Sequence, residues 1–343
     1  MVMALVMELQ LRKNELQTPI ETIYFGGGTP SLLTVDEIEL LLKTITDNYT
    51  VIDKPEITLE ANPDDLSENK IIALSKTPIN RLSIGVQSFF EDDLQLMNRA
   101  HNAQEADKCL SIATQYFDNI TIDLIYGIPK MSNTKWETNL NKALAFGINH
   151  ISSYALTVEP KTAYSKLISK GKMNAPKDEV AAAHFNILVQ TLTQNEFVHY
   201  ELSNFGKPTY FSKHNTSYWQ GKHYLGIGPS AHSFNGNTRS WNVSNNTQYI
   251  KAIHTNKLPI IIEKLSKNDQ FNEYVMTGLR TMFGVSLKKV ESNFGNEFLA
   301  TLKKSATKFI QQELLLIENH ILKTTVKGKF LCDGIAAELF IVN

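Results

Sequence analysis

The sequence has almost no cysteine. Of its 343 residues two are cysteines, Cys109 and Cys332, far apart in the chain. Two thiols so placed exclude a disulfide framework and any metal site built from three or four cysteines of one chain. Both are expected to be buried or idle, because a free cysteine packs as a small hydrophobe. A dominant charge is also missing. Lys and Arg number 34 against 35 Asp and Glu, for a formal net charge of −1, so nothing global draws the chain to nucleic acid or to an acidic surface. No apolar run reaches the roughly 18 residues of a membrane span. Low-complexity segments and repeats beyond a βα period are absent. Residues 1–7 are apolar but stop at Glu8, and no basic leader precedes them. They read as part of an amphipathic helix and not as a signal peptide, which makes the cytoplasm the expected compartment.

What is present begins with alternation. Strand patterns cover 22–25, 57–60, 81–86, 120–125 and 150–154. Helix patterns lie between them. One opens with Thr34-Val35-Asp36-Glu37, a capping box; others start near Ser67 and cover 103–116 and 134–146. Strands separated by helices predict a parallel sheet with right-handed crossovers. Five βα units are too few for the usual eight-stranded barrel, so the expected fold is α/β with a partial barrel. Beyond it, 178–195 predicts a helix and 198–203 a strand, and 205–241 is a loop rich in aromatics and glycine. From about Lys267 the chain reads as a small helical domain, and 314–326 with 333–340 as a two-strand wing plus a helix. The division is expected as 1–240 and 241–343.

The chemically notable residues gather at the ends of the predicted strands, where α/β barrels carry their sites. They are Gly26–Gly28, then Glu60 and Asn62, Gln87 and Ser88, Asp123 with Tyr126 and Gly127, and Tyr154 with Ala155. The run Ile23-Tyr24-Phe25-Gly26-Gly27-Gly28-Thr29-Pro30-Ser31 ends a strand in three glycines. Glycine admits positive φ and brings backbone close to a ligand. The run is neither a Walker A loop nor GxGxxG. Glu60, before Pro63, can accept hydrogen bonds from a ribose or an amine. Gln87 donates and accepts. Arg99 can fork onto a carboxylate, though alone it reads as a surface arginine. Asp123 lies within an apolar strand, which is costly without partners. His214, in His214-Asn215-Thr216-Ser217-Tyr218-Trp219, sits ahead of Gly226-Ile227-Gly228-Pro229-Ser230-Ala231-His232-Ser233. Imidazole is a good iron ligand among aromatics, and equally an ordinary packing residue.

In this order the motifs resemble the coproporphyrinogen III oxidase-like branch of the radical S-adenosylmethionine (SAM) superfamily, from about Ile20 to the C-terminus. Within it the chain is similar to the members that act as heme chaperones. The resemblance implies a partial (β/α)6 barrel of radical SAM type with a smaller, mostly helical, winged-helix-like C-terminal domain. It implies a [4Fe–4S] cluster on a CxxxCxxC loop and SAM bound at the cluster. The positions matching SAM contacts are Gly27, Gly28, Thr29, Glu60, Gln87, Arg99 and Asp123. His214 matches a signature associated with heme. Heme as cargo, respiratory proteins as acceptors, no nucleic acid, and room for a homodimer or transient membrane contact complete the expectation.

One departure accompanies the resemblance. Residues 1–15 read as the family's first helix, so the first strand and the three cluster cysteines are expected to be missing from this chain, and radical chemistry is not expected of it as it stands. Two other readings stay open here: an oxygen-independent coproporphyrinogen III oxidase, and a cluster-free protein binding heme or a partner.

Overall fold

The computed structural model describes residues 1–160, 162–171 and 173–342. In chain order the first elements are α1 (Val2–Leu11), β1 (Ile20–Phe25), α2 (Val35–Asn48), β2 (Val51–Ala61), α3 (Glu68–Leu74), β3 (Arg81–Gln87), α4 (Glu91–Leu96), α5 (Ala103–Tyr116), β4 (Ile120–Tyr126), α6 (Asn133–Ala145) and β5 (His150–Ala155). Then come α7 (Ala163–Ser169), α8 (Asp178–Gln194), β6 (Val198–Glu201), β7 (Asn204–Gly206), α9 (Lys213–Trp219), β8 (His232–Phe234), β9 (Thr238–Asn242) and α10 (Asn246–His254). The last are β10 (Ile260–Lys264), α11 (Lys267–Leu279), β11 (Val285–Ser286), α12 (Leu287–Phe294), α13 (Asn296–Gln311), β12 (Leu315–Glu318), β13 (Ile321–Thr324), α14 (Val326–Lys329) and α15 (Cys332–Glu338).

All five predicted strands form, and the caps read from sequence hold their helices. Thr34 accepts from the Glu37 amide while Glu37 reaches back to the Thr34 amide, and Ser67 caps α3. Strand β2 begins earlier than expected, at Val51. Its first half shows no alternation, with Ile52, Asp53 and Lys54 all exposed ahead of Pro55, which hides a strand from pattern reading; β2 pairs with β3 only from Thr58 onward, so the proline removes no bond from that ladder.

The chain divides into two compact units. One comprises Tyr24–Leu32 and Ile57–Phe211. The seven-stranded sheet has the order β1-β2-β3-β4-β5-β7-β6. Strands β2 to β5 are parallel, and β7 and β6 close the edge as an antiparallel pair. The loop expected from 205 therefore starts with a strand. At three residues β7 is too short for a periodic signal. Every residue of β3 is buried, as a strand covered on both faces requires. Trp136 of α6 is fully buried and donates its indole N–H to the His184 carbonyl of α8 at 2.9 Å.

The other unit comprises Met1–Ile23, Leu33–Glu56 and Ser212–Asn343. Glu8, which interrupts the apolar start of the sequence, is fully buried. Its Oε1 accepts from Arg12 at 3.1 Å and from Asn242 at 2.7 Å; its Oε2 accepts from the Gly228 amide at 2.8 Å and the Tyr249 hydroxyl at 2.6 Å. Four donors around one carboxylate offset its desolvation. Strands β10, β9 and β8 form a second sheet and β11, β13 and β12 a third; β8 and most of β9 fall in the stretch expected as an aromatic loop, and β10 in a stretch for which no element was expected. The predicted wing is the β12–β13 hairpin, joined by Val285 and Ser286.

Candidate functional site

Gly28, Thr29, Glu60, Gln87, Arg99 and Asp123 line one cavity. It lies where the sheet strands run out. Gly28 and Thr29 follow β1, Glu60 precedes the last residue of β2, Gln87 ends β3, and Asp123 stands within β4. Arg99 comes from the segment between α4 and α5.

The glycine loop is held from both ends. Tyr24 donates its hydroxyl to Glu60 Oε1 at 2.7 Å, and the Gly27 amide donates to Glu60 Oε2 at 3.1 Å. Further on, the Ser31 hydroxyl donates to Asp65 at 2.6 Å, and the Ser31 carbonyl accepts from Lys70. Gly27 and Gly28 have φ of +71° and +76°, a region closed to most side chains. Gly26 answers to space instead: a Cβ there would lie 2.5 Å from the Tyr24 ring. Gly85 is alike, since its Cβ would meet Gln87 Nε2 at 2.8 Å and Arg99 Nη2 at 3.3 Å.

Gln87 itself has φ of +66°, and the β3–β4 register breaks between Ile84 and Gln87. Left-handed backbone in a non-glycine residue at a strand end is strain of the kind that marks binding sites. Arg99 donates through Nη2 to Asn62 Oδ1 at 2.9 Å. The Asp123 carboxyl is pushed up to about 7, first by loss of water around it and then by the neighbouring Glu60 carboxylate.

Sequence reasoning found the lining residues and Asn62, which steadies Arg99, and missed Tyr24, which holds Glu60, and Gly85; the glycine inside a strand was a usable signal for close approach. Other strand-end residues turn away from the cavity. Ser88 donates to Asp93 at 2.8 Å, Tyr126 packs between Trp136 and Phe185, and the Gly127 amide donates to His184 Nδ1 at 3.1 Å.

His214 lies in the other unit, as the second residue of α9. The amides of Lys213 and His214 both donate to Glu56, at 3.0 and 2.9 Å. Its ring Nδ1 meets the Thr22 hydroxyl at 2.9 Å and Nε2 the Tyr218 hydroxyl at 3.1 Å. Burial lowers its pKa to about 4, so the ring is neutral at pH 7 with both nitrogens engaged.

Two family models match the chain: the Radical SAM superfamily over residues 5–143 and the HemN C-terminal domain over residues 265–331. Together they define the class, a radical SAM barrel carrying a HemN-type C-terminal domain. The heme chaperone HemW of Lactococcus lactis subsp. lactis is 35% identical over 326 residues, covering 92% of this chain and 86% of that protein. The HemW of Bacillus subtilis is 35% identical over 303 residues, covering 85% and 79%. Coproporphyrinogen III oxidase (HemN) from Escherichia coli matches in structure with a TM-score of 0.83 at 22% identity, covering 98% of this chain and 82% of that one. The HemN likeness speaks for the fold, the partial α/β barrel with a helical C-terminal domain that the sequence predicted. This chain belongs to the HemW family.

The family implies SAM and a [4Fe–4S] cluster. The cavity fits SAM: it is lined by Gly28 and Gly85, which leave room for close approach, by the carboxylates of Glu60 and Asp123 for cationic or hydroxyl groups, and by the Arg99 guanidinium for a carboxylate; Gly27 is not in the lining and its amide is taken by Glu60. The cluster does not fit the residues present. Cys109 and Cys332 are both buried, burial pushes the Cys109 thiol up to about 12, and among the described residues no group of three or more His, Cys, Asp or Glu is arranged to hold a metal. No described helix is long and apolar enough to cross a membrane.

Proposed function

We propose that this protein is a heme chaperone: it binds heme, holds SAM in the glycine-lined cavity, and passes heme to respiratory proteins in the cytoplasm, with a homodimer and transient membrane contact compatible with that role. The observation that carries the reading is the 35% identity to HemW across 92% of the chain. The oxidase likeness supports only the fold, so the chaperone is preferred.

In this reading residues 1–240 form the barrel part and 241–343 the C-terminal domain. SAM supplies one-electron chemistry in this superfamily when a cluster accompanies it; the residues of this chain bind and orient it. Gly27, Gly28 and Thr29 receive its amino-acid end. Glu60, held by Tyr24, accepts from an amine or ribose hydroxyl. Arg99, steadied by Asn62, pairs with the carboxylate. Gln87 reads a polar edge, and Asp123 places negative charge near the sulfonium. His214 is the heme candidate named by the sequence signature, and iron ligation there requires Tyr218 to release Nε2.

Titration of the protein with hemin tests the core of the proposal. A saturable one-to-one complex with a shifted Soret band, and transfer of that heme to an apo-acceptor, are expected. Binding that never saturates would remove the chaperone reading. Calorimetric titration with SAM tests the cavity, and the heat is expected to fall sharply in Glu60→Ala.

A further inference from the structure

The motif that follows His214 contains a second histidine with the opposite surroundings. His232 is exposed, and no described residue hydrogen-bonds its ring nitrogens. It stands on β8 directly opposite Trp241 of β9, which in turn stands opposite Ile261 of β10. Residues directly opposite across antiparallel strands project from one face, so the three side chains form a row. The imidazole and indole are stacked, with centroids 5.7 Å apart and planes 29° apart. Ile261 at the end of the row is 50% exposed.

Two residues along each strand the same face recurs. There Phe234 stands opposite Arg239, and the guanidinium lies 5.4 Å from the Phe234 ring centre. Arg239 donates Nε to Glu273 at 2.8 Å, and its two Nη atoms have no hydrogen-bond partner among the described residues. One sheet face therefore presents an open imidazole, apolar side chains and a cation with spare Nη donors, the last flanked by Glu263 opposite it on β10 and by Glu273.

We propose that His232 is a ligand for heme iron, with Trp241 and Ile261 meeting the porphyrin and Arg239 pairing with a propionate. The proposal rests on the heme-chaperone reading. The chemistry matches part for part. Iron takes an imidazole nitrogen, the macrocycle needs apolar surface, and a carboxylate is well met by a guanidinium fork. His214 can join only after giving up a hydrogen bond; His232 has none to give up.

The test is titration of the full chain with hemin and, in parallel, with metal-free protoporphyrin IX. For His232→Ala the half-saturating hemin concentration is expected to rise at least roughly tenfold, since even outer-shell partners of a metal ligand are worth that much, with a changed Soret position. Protoporphyrin binding is expected to be unchanged, which separates an iron bond from mere loss of shape. Trp241→Ala should weaken both. His232→Gln, which keeps size and polarity, is the second variant should the alanine fold poorly. Wild-type hemin affinity in both His232 variants overturns the assignment while leaving the chaperone reading intact. Equal loss for hemin and protoporphyrin overturns it as well, by pointing to packing. Failure of the wild-type chain to bind hemin removes the chaperone reading itself.

Discussion

The cavity at the ends of β1 to β4 and the helix that bears His214 treat their polar groups in opposite ways. At the cavity, Glu60 and Arg99 are braced from behind, and both line the cavity together with Gln87. Around His214 both ring nitrogens and the backbone amide are engaged. The first arrangement is strained and costly by itself. Left-handed backbone at Gln87 and the desolvated Asp123 carboxyl, pushed up to about 7, both weaken the isolated fold. The second is closed, and stabilises what surrounds it. A motif residue is thus not automatically an available residue; what its neighbours leave open decides.

Substitutions can break this contrast or sharpen it. The largest effect is expected at Asp123. At low pH the folded and unfolded chains both hold its proton. As pH rises toward about 7 the unfolded chain releases it first, so stability falls across that window. Asp123→Asn should abolish this slope and add up to about 4 kcal/mol at pH 8, read from urea unfolding at pH 4 and pH 8. An unchanged slope would mean the carboxyl is ordinarily solvated. SAM affinity should move oppositely, rising through neutrality in the native protein and flattening in the variant.

Next is Gly26→Ala. The added methyl meets the Tyr24 ring, and overpacking of this kind costs about 1–3 kcal/mol. Thermal melts should show the loss and calorimetry a weaker SAM complex; normal values for both would detach the glycine loop from the site. Tyr24→Phe should be comparable in size. It removes one donor to Glu60, worth about 1.5–3 kcal/mol for a charged acceptor. SAM affinity should drop by a similar amount with the fold intact.

The smallest change probes the closed region. Tyr218→Phe removes the Tyr218 hydroxyl from His214 Nε2. If His214 takes part in ligation, hemin affinity should rise about fivefold, the worth of one hydrogen bond of about 1 kcal/mol. No change in the hemin titration would leave His214 a packing residue.

Much of the fold was legible because local chemistry and tertiary role agree there. The run of β3 is buried throughout and that of β4 nearly so, and the caps at Thr34 and Ser67 act within their own helices. Illegible parts depend on distant partners or lack length. Three-residue strands such as β7 and β8 carry no period. Glu8 reads as the end of an apolar stretch, and becomes its buried centre only when Asn242, Gly228 and Tyr249 arrive from far along the chain.

The candidate site divides in the same way. Gly26 to Gly28, Glu60, Gln87 and Asp123 could be picked from sequence because each breaks a strand pattern with a residue type that costs something in a strand. Residue type and order alone determined which groups are offered at the strand ends. They also determined that two cysteines cannot furnish a three-thiolate cluster. Only the tertiary structure decided which groups are available, because hydrogen bonds and strand pairings that residue order does not show set that. Thr22 and Tyr218 close His214, Tyr24 turns Glu60, and strand pairing sets His232 beside Trp241 with its ring nitrogens open.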